Sequence, residues 1–230
     1  MVTHLEIELG RLRKKLLRLC AAVEESLRDA LSALARRDGQ LAARIIDNDA
    51  EIDRREVDLE EDCLKVLALY QPVARDLRLI VAVLKINNDL ERIGDLAVNI
   101  AERVASLCHR APIASPYDVL GMGEHSRTML RKSLDAFVNL DSQLAHDVCR
   151  MDDTIDAMNR EAYPKIVKAM EGHPDELEAL ISYISISRNL ERVADHTTNI
   201  AEDVIALLEG EIVRHRLEQS DRGDAEKQNS

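Results

Sequence analysis

Between Glu91 and Val104 the chain sorts its residues onto two sides of a helix. At 100° per residue from Glu91, the apolar Ile93, Leu96, Ala97, Ile100 and Val104 fall between about 140° and 240°. Glu91, Asp95, Asn99 and Glu102 fall within about 80° of one another on the opposite side. Similar segments are separated by turn chemistry: "RRDGQ" at 36–40, "YQPVARD" at 70–76, "CHRAPIASPYD" at 108–118, "NLDSQ" at 139–143 and "EGHPDE" at 171–176. Asp, Ser, Pro and Gly at these places are helix starts and stops. The pattern predicts six helices of about 25–35 residues, three on each side of the two-proline segment, with loops short enough to force neighbours antiparallel. Pro164 falls inside the fifth and is expected to kink it rather than end it. The expected organisation is all-α: two tandem three-helix bundles over 1–110 and 111–210, then a disordered polar tail over 211–230, where the periodicity fades.

The third and sixth helices repeat each other. "DLERIGDLAVNIAERV" from Asp89 and "NLERVADHTTNIAEDV" from Asn189 align at an offset of 100 residues, so Glu91, Asp95, Asn99 and Glu102 meet Glu191, Asp195, Asn199 and Glu202. The second and fifth helices match at an offset of 103, Asp49 and Asp53 meeting Asp152 and Asp156. Two copies of one three-helix unit account for both matches.

Composition narrows the class. Of 230 residues 46% are apolar, yet there is one Phe, four Tyr and no Trp, with eight Gly and five Pro. Aliphatic packing with few breakers suits long helices and suits a sandwich or barrel poorly. A net charge of −12 disfavours direct contact with nucleic acid or an anionic membrane. "RLRKKLLR" (Arg11 to Arg18) is the one dense basic stretch, read as a solvated or partner-facing stripe. No phosphate cradle is visible, there being no Gly-rich loop and no arginine cluster beyond Arg75, Arg78, Arg92 and Arg192. Four widely spaced cysteines, no apolar leader in "MVTHLEIELGRLRKK" and no long apolar run lead to the expectation of a cytoplasmic protein with reduced thiols.

A carboxylate stripe opposite an apolar face is ordinarily just solvated. Here Glu91 and Asp95 are like charges one turn apart, which costs a few tenths of a kcal/mol without a cation. Asn is a mediocre mid-helix residue, yet Asn99 recurs as Asn199. Neighbouring positions diverge between the copies: Gly94/Ala194, Leu96/His196, Ala97/Thr197 and Arg103/Asp203. Carboxylate and amide oxygens at this spacing suit a hard cation, with Asp53 and Asp156 on the adjoining helices completing an oxygen-rich cage. Two rival readings remain: a metal-dependent enzyme using the carboxylates, and a helical scaffold holding no metal. No Glu-x-x-His pair, HExxH, GxSxG or P-loop supports catalysis, and His196, whose copy is Leu96, is read as a packed or exposed residue.

"LERIGD", "LERVAD" and "QPVARDLR" (Gln71 to Arg78) resemble the PhoU family of phosphate-uptake regulators, over about residues 5–210. The resemblance implies two tandem three-helix bundles carrying metal ions (iron, manganese or magnesium) on E(D)xxxD motifs, here Glu91 with Asp95 and Glu191 with Asp195. It also implies a cytoplasmic, non-enzymatic negative regulator of phosphate uptake and of the phosphate-starvation response. Its implied partners are a second copy of itself, a sensor histidine kinase and the ATPase subunit of an ABC phosphate transporter, with the membrane reached only through them. Asn159, standing where the first copy has Glu56, makes unequal sites the expectation.

Overall fold

A computed structural model describes residues 4–210; the polar tail expected over 211–230 lies outside them. Six α-helices follow in order: α1 (His4–Arg36), α2 (Gly39–Tyr70), α3 (Ala74–Cys108), α4 (Val119–Asn139), α5 (Ser142–Gly172) and α6 (Leu177–Glu209). A single 3₁₀ turn, Pro174–Glu176, precedes α6, and there is no strand among the described residues.

The stops and starts follow from local chemistry. Asp38, Asp118 and Asp141 cap α2, α4 and α5 by accepting from the backbone N–H of Leu41, Gly121 and Leu144 at 2.9, 2.9 and 3.0 Å. Each cap satisfies one of the donors that a helix start leaves without a partner. Left-handed turns fall on the side-chain-bearing Arg37 (φ 52°), Gln71 (φ 46°) and Leu140 (φ 55°), whereas α6 ends on Gly210 (φ 77°), and Gly39 is already helical. α5 is helical on both sides of Pro164. At 21 residues, α4 is shorter than the sequence pattern predicts. It fills the interval between the breaks at 108–118 and 139–143, and just before its start the Tyr117 hydroxyl donates to the Tyr183 carbonyl at 2.9 Å while the two rings meet edge to face. That anchor holds the chain extended until Asp118 can cap.

α3 and α6 are the most buried helices and pack on each other along the seam between the halves. α1 and α2 cover α3, α4 and α5 cover α6, and α1 also touches α4, so one aliphatic core runs through both halves. Ile80, Ile86, Ile93 and Ile100 of α3 and Ile186, Leu190, Val193 and Ile200 of α6 are fully buried. The α1/α4 crossing depends on Gly123: a Cβ there would lie 2.4 Å from Leu31 Cδ2. Gly123→Val is therefore expected to force the two helices apart and cost about 1–3 kcal/mol, read as a lower urea midpoint with unchanged slope.

All four cysteines are free, Cys20 and Cys63 buried. Burial pushes the thiols of Cys20, Cys63 and Cys149 up to about 12. Thiolate is the reactive form, so these are inert packing residues.

Candidate metal centre

In the first half, Asp49 and Asp53 stand one turn apart on α2 and face Glu91 and Asp95 on α3. Carboxylate oxygens of Asp49, Asp53 and Asp95 lie within 4.8 Å of one another, the one such trio of potential ligand residues among the described residues. Like charges held this close oppose ionisation. The Asp49 carboxyl is pushed above its ordinary range by burial, then by Asp53 and Asp95. Glu91 is raised by burial and then by Asp95, and Glu56 by burial and then by Glu60 and Asp53. One oxygen of Asp49 is buried with no hydrogen-bond partner. The nearest compensation is Arg92, 3.3 Å from Glu91 and 3.5 Å from Asp95, and its guanidinium is half exposed.

The second half repeats the arrangement with Asp152 and Asp156 on α5 facing Glu191 and Asp195 on α6. Asp152 is raised furthest, to about 6, by burial and then by Asp195 and Asp156, with the nearby Thr198 hydroxyl offsetting part of the rise. Glu191 and Asp195 are also raised, each by partial burial first, then by Asp195 and Asp156 respectively. Asp152, the counterpart of Asp49, likewise has one buried oxygen without a partner. A buried, unpaired carboxylate oxygen in both copies is costly unless something neutralises it.

The copies differ beside the acids. Asn87 donates to Glu56 Oε1 at 2.8 Å and to the Glu56 carbonyl at 3.1 Å, pinning that carboxylate to α3. In the second half Ser187 donates to Asn159 Oδ1 at 2.6 Å, so a neutral amide replaces the anion. The first group thus has one more carboxylate than the second.

The sequence-derived ligand set separates into two groups. Glu91, Asp95 and Asp53 come together, as do Glu191, Asp195 and Asp156. Asn199 instead donates to Asp89 Oδ1 at 3.3 Å across the α3/α6 seam, and Asn99 stands on the exposed side of α3. Glu102 is exposed beside Arg103. His196 is a packed interhelical residue, its Nδ1 donating to Asp89 Oδ1 at 2.8 Å. The sequence reading passed over Asp89, because no local pattern shows that its partners lie more than 100 residues away.

The chemistry of the donor set fits a hard divalent or trivalent cation: carboxylates from two rigid helices, with an orphaned oxygen in each group. Asp49, Asp53, Glu91 and Asp95 would hold it in one half, and Asp152, Asp156, Glu191 and Asp195 in the other. It would supply positive charge that cancels the mutual repulsion of the acids.

A family model described as the PhoU domain matches residues 16–104 and again 119–204. The chain belongs to the PhoU family. It is 40% identical over 209 residues to a phosphate-specific transport system accessory protein PhoU homolog from Pseudomonas putida, covering 90% of this chain and 82% of that one. The homolog of the same description from Pseudomonas aeruginosa is 38% identical over 209 residues, covering 90% and 86%. The crystal structure of PhoU from Pseudomonas aeruginosa superposes with a TM-score of 0.87 at 36% identity, covering 89% of this chain and 99% of that one. That of the phosphate transport system regulatory protein PhoU from Streptococcus pneumoniae gives 0.83 at 31% identity, covering 91% and 99%. The six-helix, all-α PhoU architecture expected from the sequence is the one observed. Among the described residues no helix is long and apolar enough to cross a membrane.

Proposed function

We propose that this PhoU-family chain is a regulatory accessory protein of a phosphate transport system, acting as a cytoplasmic, metal-binding adaptor rather than an enzyme. In this reading the two acid groups bind cations that stiffen each half. The outer helix faces dock the transporter's ATPase subunit and a sensor histidine kinase, restraining uptake and the starvation response, and the adaptor works as a homodimer. Family membership and the names of the relatives support the transport role. The observation that carries the metal part is the buried, unpartnered carboxylate oxygen at both Asp49 and Asp152, joined in the first half by the convergence of Asp53 and Asp95 on Asp49.

Elemental analysis of tag-free protein tests the metal part. Wild type is expected to hold stoichiometric metal and Asp95→Ala/Asp195→Ala to lose it. Metal-free protein in both cases, after incubation with Mg, Mn and ferrous iron, would leave a helical scaffold. Because Glu56 is replaced by Asn159 in the second half, partial loading is expected to favour the first half: Asp95→Ala alone should lower metal content more than Asp195→Ala alone.

A further inference from the structure

The α3/α6 seam ends in a cleft of about 770 Å³ far from the acid groups. Arg13 of α1, Arg75 and Arg78 at the start of α3, Leu140 of the α4–α5 turn and Leu208 near the end of α6 all line it. Arg75 lies 20 positions from Asp95, about 30 Å along the helix. Sequence alone pairs Arg75 with Arg78; folding adds Arg13 from 62 positions away.

None of these three guanidinium groups is spent on a carboxylate. Arg75 and Arg78 are exposed and form no ion pair or hydrogen bond among the described residues. Arg13 lies over the Phe137 ring at 5.8 Å, and its Nε is buried without a hydrogen-bond partner. By contrast, Arg28, Arg54 and Arg127 on other helix faces each meet a carboxylate within 3.0 Å. Glu6 and Asp76 also line the cleft, so an incoming anion meets three guanidinium groups against two carboxylates. In a chain of net charge −12, that is a local inversion of sign.

We propose that this cleft binds a phosphate group, gripped by Arg13, Arg75 and Arg78. Guanidinium is planar, always charged and presents paired N–H donors that match a tetrahedral oxyanion, and such hydrogen bonds are the stronger kind. The buried Arg13 Nε supplies a donor that gains a partner only when an acceptor enters. Because both halves line the cleft, a bound anion clamps the end of the seam. The proposal is independent of the metal reading, since it uses none of the stripe residues.

The test is calorimetric titration of the full chain, stripped of metal on a chelating resin so that no stripe-bound cation recruits the anion. Inorganic phosphate and glycerol phosphate are the two probes, with chloride at matched ionic strength as the control. Saturable binding is expected, weakened at least about tenfold by Arg75→Gln/Arg78→Gln. Both residues are exposed, so this variant keeps its fold, which circular dichroism checks. Arg13→Lys retains the charge but not the fork and should also weaken binding. Binding of inorganic phosphate alone assigns the free ion; equal or tighter binding of glycerol phosphate assigns a phosphorylated molecule. No saturable heat with either probe, a response that chloride reproduces, or unchanged affinity in the double variant overturns the proposal.

Discussion

Adding a divalent cation that the acid groups bind is expected to raise the melting temperature of metal-stripped protein by roughly 5–10 °C at a concentration 100 times its dissociation constant. A ligand bound only to the folded state contributes about 2.7 kcal/mol there. A chain of this size moves about 2–4 °C per kcal/mol. The same acids set the pH dependence of the stripped protein. In the folded state Asp152 titrates near 6 instead of near 3.8, and Asp49, Glu91, Glu191 and Asp195 are raised as well. Between those limits the folded chain holds more protons than the unfolded chain, so stability falls as pH rises through that window. Asp152 alone should account for about 1–2 kcal/mol after discounting for solvent screening. Asp62 and Glu124, held low by Lys15 and Arg127, act the other way at lower pH, where their contribution is lost as they protonate. Stripped protein should therefore be more stable near pH 4 than near pH 6. Saturating cation should flatten the slope between about pH 4 and 6, and Asp152→Asn should reduce it. Scanning calorimetry from pH 4 to 8, with and without cation, checks this. A stripped protein most stable at pH 7, or one indifferent to every cation tried, would remove the physical basis of the metal reading.

What the sequence made legible was what repeats or caps locally. Asp38 and Asp141 announced their helices, and the offsets of 100 and 103 paired the acid groups before any coordinates. The start of α4 at Val119 was legible from the two-proline segment 108–118, but the Tyr117–Tyr183 contact that anchors it, spanning 66 residues, was not. The same blindness to distance hid Arg13 beside Arg75 and Arg78. It also hid the contact of Asn199 with Asp89, because helical phase places Asn199 near the stripe while its angle, about 80° from Glu191, lets it reach the seam. Phase tells which face a residue occupies. Which neighbour occupies the adjoining space is set by the other helix.

The largest single loss of stability outside the aliphatic core is expected at that seam. Asp89 is 6% exposed on α3 and accepts from His196 Nδ1 at 2.8 Å and from Asn199 Nδ2 at 3.3 Å, both on α6. The internal repeat makes the site asymmetric: the counterpart of Asp89 is Asn189 and that of His196 is Leu96. Replacing His196 with Leu, the residue its own copy carries, leaves a nearly buried carboxylate with only an amide donor. Leaving a buried carboxylate short of one hydrogen-bond donor costs about 1–3 kcal/mol. Asp89→Asn in the same chain removes the stranded charge and installs the residue that its own copy carries. The double variant His196→Leu/Asp89→Asn should therefore recover most of the loss, because it removes the carboxylate that was left short of a donor. A double-mutant cycle by urea unfolding reads the coupling directly. Additive losses would mean that the contact contributes nothing beyond its separate side chains. Recovery would show that the seam tolerates a symmetric, uncharged core, and that this pair selects how the two halves meet rather than how tightly they hold.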